Sequence, residues 1–589
     1  MKRYIIILLA AGLLAACSRG NPEITSEELY SHIAYLASDR LAGRMTGTEG
    51  DSLAAVYIRN ELLSYGLAPF TDDGFQRFRV TSSLSAGDGN LMIIDGVEMT
   101  EGSDFTPSSV TENAEIEASV AFAGYGLRID TDTLKWDDYA GLEVAGKWVM
   151  VLRAEPEING SGAGFAAVSS DRNKAMIAKD MGAAGVLLVS GIKYDPEDEF
   201  EPLSRADYPV GIPVIRIKRE IATLLLSETG ASIEEKEDII DRLQKPAGIN
   251  TGKTVRAVTE VKRETAGTRN VVMVLPGNDP VLKDEFLVLG AHYDHLGYGG
   301  EGSSSRIPDT VAVHYGADDN ASGIALMLEL AEKFASEPQT NARSIVFIAF
   351  SAEEMGLLGA RHFIDNIPVS PASVNAMINL DMIGRLKESR VLQVGGAGTA
   401  AGMRELLTKF NDTTSLKLAL SDEGYGPSDH SIFYGADIPV IFVSTGPHLD
   451  YHTPLDTKDR INYDGMTAIA DFIYSVADNL AGTSEKLTFM EAGPRHGGNH
   501  GNRRGGITLG IMPDFSGIIK DGLRADFVTP GRPAALGGMQ RGDIIKSVNG
   551  KPVNNIEDYM YRLNQLKQGE TITVEILRGE EKELLIIQL

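Results

Sequence analysis

The sequence predicts an α/β protein: a mixed, mostly parallel sheet flanked by helices, carrying a β-rich inserted domain and a small C-terminal domain. Three observations carry this expectation. Over 270–480, apolar, β-branched runs at 286–289, 344–350, 376–380, 391–394 and 439–443 alternate with helical patterns at 321–335, 355–365, 400–410 and 464–480. Such continuous apolar strands suit a parallel sheet covered on both faces. Over 86–262 the texture changes to short β-like runs at 118–122, 147–152, 185–189 and 213–217, separated by Gly and Asp turns, with one helix at 173–181. A Gly-, His- and Arg-rich run over 492–506 has the composition of a flexible linker and separates off the last part of the chain.

The elements follow in order. Lys2 and Arg3 precede an apolar run over 4–16 that is short for a bilayer span. Leu14-Ala15-Ala16-Cys17 resembles the bacterial lipobox, in which cleavage precedes the cysteine and that cysteine is lipidated. The expectation is a signal peptide over 1–16, a lipidated tether over 17–24, and an exported protein anchored through Cys17 to a bacterial membrane, at the periplasmic face or the cell surface. Thr25-x-x-Glu28 reads as a capping box, with Leu29, Ile33 and Leu36 at helical spacing behind it. A second amphipathic helix runs through Ala54, Tyr57, Ile58 and Leu62 to about Gly66. The domain boundaries expected are 25–85 and 263–485 for the two parts of the main domain, 86–262 for the insertion, 486–503 for the linker and 504–589 for the C-terminal domain.

Composition excludes some chemistry. A formal net charge of -27 repels phosphate backbones, so no nucleic-acid partner is expected. Cys17 is the one cysteine, which rules out an internal disulfide and a cysteine-based metal site.

Chemistry gathers where the main-domain strands end. The first is followed by His292-Tyr293-Asp294-His295, the second by Glu353-Glu354, the third by Asp381, and the last by a loop with Tyr451-His452. Open α/β sheets build sites beyond the carboxyl ends of their strands. Asp319, just before a helix, joins this rim. Imidazole nitrogens and carboxylate oxygens suit zinc. Two histidines, two terminal carboxylates and one bridging carboxylate would give each of two metals three protein ligands and leave positions open for water and a carbonyl oxygen. Asp294 is placed to accept the other ring N–H of His292. Asp318 reads as a helix cap. His295 and His448 read as packing or hydrogen-bonding residues. Arg385 suits either a substrate carbonyl or an ion pair.

Gly290-Ala-His292-Tyr-Asp294, Gly316-Ala-Asp-Asp319-Asn-Ala-Ser-Gly323, Ala352-Glu353-Glu354, Leu380-Asp381-Met382 and His452-Thr453-Pro454-x-Asp456-Thr457 resemble the co-catalytic dizinc aminopeptidases of the bacterial leucyl aminopeptidase and aminopeptidase Y type. The resemblance implies the zinc exopeptidase fold and two zinc ions per chain, with cobalt or manganese as possible substitutes. It implies that Asp319 bridges, that Glu354 and His452 complete one site, and that His292 and Asp381 complete the other. Glu353 is then the general base, working with a metal-bridged hydroxide, and Tyr451 the donor to the oxyanion. The implied substrates are peptides with a free N-terminus. Ser428-Asp429-His430 resembles a segment near the substrate cleft. The alternatives are a dipeptidase or carboxypeptidase of the glutamate carboxypeptidase type, which needs a basic cluster not recognised in the sequence, and a non-catalytic receptor, which predicts damaged ligands where none is damaged. Residues 174–189 resemble the protease-associated domain. Leu509-Gly510-Ile511, the run from Gly537 to Ile545 and Val548-Asn549-Gly550 resemble a PDZ domain, whose groove adds a peptide or protein C-terminus as an extra strand.

Overall fold

The computed structural model describes residues 23–131, 134–157, 165, 168–204, 208–300, 303–337, 341–412, 414–492, 507–514, 519, 521–529 and 531–589. The expected signal peptide, Cys17 and the linker histidines His496 and His500 lie outside the described residues. Among the described residues no helix is long and apolar enough to cross a membrane. The first helix, Ser26–Leu36, is opened by a capping box: Thr25 Oγ1 accepts the Glu28 N–H, and the Glu28 carboxylate accepts the Thr25 N–H. Thr48 caps the second helix, Glu49–Ser64.

The main sheet places the strands Val261–Leu275, Ser344–Phe350, Phe286–His292, Val374–Leu380, Val440–Ser444, Val391–Gly395 and Lys417–Leu420 side by side in that order. The middle four, from Ser344–Phe350 to Val440–Ser444, are mutually parallel, so their carboxyl ends share one rim. Strict alternation explains their apolar runs. Leu287, Leu289, Phe347, Ile378 and Val443 face one core, covered by the helices Ser26–Leu36, Glu49–Ser64, Gly323–Ser336 and Tyr463–Gly482. Val288, Val346, Ile348, Met377 and Val440 face the other, covered by Leu358–Asp365 and His430–Gly435.

The insertion hangs from a long antiparallel ribbon, Phe75–Ala86 against Val261–Leu275, which runs from the main sheet toward it. Its own sheet has eight strands, and the four in the order Ala114–Ala123, Trp148–Leu152, Gly185–Val189 and Val214–Ile217 are parallel. Among the described residues three helices pack with it: Asp171–Asp180, Arg219–Leu226 and Ile233–Leu243. The last two had no counterpart in the sequence reading, although Ser232 and Glu235 form a capping box and Ile233 and Ile240 repeat at helical spacing. Glycine- and acid-rich flanks hid a short amphipathic pair.

The C-terminal unit touches both other bodies. Phe527 sits in the second core of the main sheet, 4.9 Å from Tyr425 and 5.5 Å from Tyr434 between ring centroids. Arg361 pairs with Asp526, and Arg541 with Asp437 at 2.8 Å. On its other side, the helix Ile556–Leu563 docks on the insertion helix Asp171–Asp180. Arg172 meets Asp558 at 2.5 Å and Glu557 at 2.6 Å, and Asp180 takes Arg562 at 2.6 Å and Lys551 at 3.0 Å.

Lys174 is wholly buried in the insertion, donating to the carbonyls of Leu152 and Ala154, with Nζ 5.3 Å from the Tyr125 ring centre. Burial holds its ammonium down to about 7, against the pull of Asp171 and Asp138. The folded value lies below the unfolded one, so between pH 7 and 10 the unfolded chain binds more protons and stability rises with pH. Replacing Lys174 by Met should flatten that rise. Thermal melts of both proteins between pH 7.5 and 9.5 check it, and parallel curves would contradict it.

Candidate metal centre

Each residue of the rim is positioned by the element before it. His292 closes the strand Phe286–His292, and Asp381 follows Val374–Leu380, its N–H donating to Val443 O at 3.1 Å. Glu353 and Glu354 follow Ser344–Phe350, and His452 lies in the loop after Val440–Ser444. Asp319 sits in a wide turn, Ala317–Ser322, ahead of the helix Gly323–Ser336. Three non-glycine residues here hold positive φ: Ala352 at 60°, Met382 at 55° and His452 at 56°. Each costs about 1–3 kcal/mol, and such strain persists where the surroundings over-determine the backbone.

The side chains converge as two groups. His292 Nε2 is 3.3 Å from Asp319 Oδ1 and 3.6 Å from Asp381 Oδ1. His452 Nε2 is 3.2 Å from both Asp319 Oδ2 and Glu354 Oε2. Two atoms bound to one tetrahedral zinc at about 2.1 Å lie roughly 3.4 Å apart. The buried Nε2 of His452 has no hydrogen-bond partner despite these neighbours. The donor set and its spacing therefore fit metal ions. The other ring nitrogens are engaged, His292 Nδ1 at 3.2 Å from Asp294 O and His452 Nδ1 at 2.9 Å from Ser304 O, which turns both Nε2 atoms inward. Glu353 also stands within reach of the His292 and Asp381 group, with Oε2 3.9 Å from His292 Nε2. The Tyr451 ring stacks on His452 at 3.9 Å.

Asp294 acts through a different atom from the one expected. Its backbone oxygen faces His292, while its carboxylate stands 3.8 Å from that ring. The carboxylate instead accepts the Glu353 N–H at 3.0 Å, the Glu354 N–H at 3.4 Å and the Thr46 hydroxyl at 2.9 Å. Two residues after a strand-end histidine, the chain has turned so that the carbonyl rather than the side chain points back. Asp318 does not cap the helix: its carboxylate accepts the Gly384 N–H at 2.6 Å and faces His448 Nε2 at 3.2 Å. Arg385 forms an ion pair with Asp450 at 2.6 Å. His430 stacks on Phe442 and is pushed down to about 3 by burial. Asp429 is buried beside Glu353 and Asp381, and burial raises its carboxyl well above the usual range.

Three contributors escaped the sequence reading. Asp456 accepts the backbone N–H groups of Asp318 and of Asp319 at 3.0 Å, clamping the central aspartate from below. Asn320 ties that turn to the third strand, donating to Leu380 O at 2.9 Å and accepting from Met382 N at 3.2 Å. Arg44 is wholly buried and donates to the carbonyls of Leu36, Tyr293, Tyr315 and Gly316. The Asp-Thr pair after His452 was a signal for Asp456; Arg44 and Asn320 are told apart from ordinary loop residues by their contacts alone.

The electrostatics are those of crowded acids. Burial alone would raise Asp319, but His292, His452 and His295 hold it well below the usual carboxylate range. Burial pushes Glu353 well up, against the pull of His292. Burial lowers His452, yet Asp319 and Glu354 more than reverse this and lift it to about 10. Burial brings the Arg44 guanidinium down to about 10, and Asp319, Asp456, Asp294 and Glu354 favour its charge.

Residues 270–477 match the model of peptidase family M28, and residues 514–589 match that of the PDZ domain. Aminopeptidase YwaD of Bacillus subtilis is 25% identical over 468 residues, 76% of this chain and 83% of the relative. Over residues 270–477 the chain is therefore similar to peptidase family M28. The chain also resembles the probable leucine aminopeptidase 1 of Trichophyton verrucosum, at 30% identity over 40% of its own length and 65% of the relative's. It spans half the length of a probable zinc metalloprotease of Pyrenophora teres f. teres, again at 30% identity. A solved structure of BSAP, a zinc aminopeptidase from Bacillus subtilis, aligns with 77% of this chain and 95% of its own at 22% identity and a TM-score of 0.47.

The clamp yields an expectation. Asp456→Asn replaces a carboxylate oxygen with a donor facing two N–H groups, so the Asp319 turn should loosen. Zinc affinity, measured by chelator competition, should fall roughly 10–100-fold with the circular dichroism spectrum unchanged. Unaltered affinity would show that Asp456 does not hold the turn.

Proposed function

We propose that the chain is a zinc-dependent aminopeptidase, removing N-terminal residues from peptides, with two zinc ions held by His292, Asp319, Glu354, Asp381 and His452. The observation that carries the two-ion reading is Asp319, whose Oδ1 faces His292 at 3.3 Å and whose Oδ2 faces His452 at 3.2 Å, one oxygen for each site. His292 and Asp381 complete one site, Glu354 and His452 the other. Bound there, zinc would supply a Lewis acid for the scissile carbonyl and lower the pKa of the attacking water. Glu353, with Oε2 3.9 Å from His292 Nε2, would take the proton from the attacking water and deliver it to the leaving amine. Tyr451, packed on His452, is read as the donor to the developing oxyanion. Asp294 holds Glu353 and Glu354 in place through their backbones. The relatives named as aminopeptidases support the exopeptidase assignment.

We read the insertion as a protease-associated domain, the helix Asp171–Asp180 and strand Gly185–Val189 carrying the segment on which that rests. Lys2, Arg3 and the Leu14–Cys17 motif support export and lipid anchoring at Cys17. Cys17→Ser should then shift the protein from the membrane to the soluble fraction of cells; unchanged fractionation would refute the anchor. We take the PDZ domain's partner to be a peptide or protein C-terminus.

Two experiments test the enzyme. Aminoacyl anilides should be hydrolysed while their N-acetylated analogues are spared; cleavage of acetylated substrates, or none with zinc supplied, would refute the aminopeptidase reading. Glu353→Gln should keep both metals by elemental analysis and lose about two to four orders of magnitude in rate. Loss of metal in that variant would exchange the roles of Glu353 and Glu354.

A further inference from the structure

His295 is not among the five expected ligands, yet its side chain is wholly buried within ligand reach of Asp319, Glu354 and His452. Its Nδ1 lies 2.9 Å from Glu354 Oε1 and 3.7 Å from Asp319 Oδ2. A histidine so placed is either a further ligand or a residue that aims one. The distances separate the two. The assigned ligand atoms stand 3.2–3.6 Å from one another, close to the roughly 3.4 Å expected of two atoms sharing a zinc. At 2.9 Å, His295 and Glu354 are at the spacing of an N–H···O hydrogen bond. The contact also uses the oxygen of Glu354 that His452 does not face, since His452 meets Oε2. Because an ionised carboxylate can only accept, His295 Nδ1–H is the donor.

The ring has little freedom to do otherwise. The His295 backbone N–H donates to Arg44 O at 3.3 Å, tying it to the N-terminal segment. Gly316, with φ at +55°, passes directly against the imidazole: a Cβ there would stand 2.6 Å from its Cδ2. His452 also meets the ring edge-on, with ring centroids 5.7 Å apart.

We propose that His295 is a positioning residue, which holds Glu354 Oε1 by hydrogen bond so that Glu354 offers the metal Oε2 alone. This rests on the dizinc reading above. Glu354 then binds through one oxygen, and a coordination position at that ion stays free for substrate or water. The sequence pattern His292-x-Asp294-His295 thus places a ligand-side orienter for each half of the centre within four residues.

The test measures zinc binding to the full chain by chelator competition, with the cobalt-substituted protein followed by visible absorption. The wild-type chain should bind two zinc ions. His295→Ala should weaken one of them roughly 10–100-fold and leave the other unchanged. His295→Asn, whose amide nitrogen falls near the position of Nδ1 and can donate the same bond, should recover most of that affinity, with the cobalt bands at their wild-type wavelengths. Unchanged affinity in His295→Ala would overturn the proposal. So would an Asn variant as weak as Ala, and shifted cobalt bands in the Asn variant would mark His295 as a ligand instead. A wild-type chain that takes up no zinc would overturn the dizinc reading itself and this inference with it.

Discussion

One constraint organises the centre of this molecule: many carboxylates are buried together. Asp294, Asp318, Asp319, Asp381, Asp429 and Asp456 are all buried, and Glu353 and Glu354 are nearly so. Left to themselves these charges would repel one another in a medium that screens poorly. The surroundings answer this in layers. Histidine rings face the oxygens, backbone N–H groups are aimed at Asp294, Asp318 and Asp456, and the buried Arg44 lies within their field while its donors bind carbonyls. The N-terminal helices are therefore part of the centre's scaffold, because Arg44 is what brings them to its floor.

Much of this was legible in the sequence, and the reason is periodicity. Fully buried parallel strands must be apolar throughout, so their ends are marked by the first ionisable residues, and after three of the four these include ligand candidates: His292, Glu353-Glu354, Asp381. Residues that act through short covalent neighbourhoods were equally plain, such as the Thr25–Glu28 capping box. What escaped depends on closure in space. Asp456 reaches Asp318 and Asp319 across 138 and 137 residues of chain, and His295 meets Glu354 across 59. The Asp-Thr pair after His452 marked Asp456, and His295 read as a packing or hydrogen-bonding residue, but local spacing does not name the partner of either. Asp294 shows the intermediate case, where the residue was visible but the choice between its carbonyl and its carboxylate was set by a turn.

Strand ends hold only part of the centre. His292 and Asp381 sit there, where backbone geometry is imposed by the sheet, while Asp319 lies in a turn and His452 in a loop. The aiming groups come from loops and turns, some with left-handed backbone such as Gly316. A rigid frame supplies the position and a less regular shell supplies the direction.

The C-terminal unit introduces a different consequence. It is joined to the main domain by Phe527 and two ion pairs, and to the insertion by Arg172 and Asp180, while the insertion is joined to the main domain by its own ribbon. The three bodies therefore form a closed ring of contacts. In such a ring no interface opens independently: a partner that releases one seam leaves the loosened surfaces at high effective concentration, held close by the other two. Prying the insertion helix away from Ile556–Leu563 would thus be a local and quickly reversed event unless a second seam gives way with it.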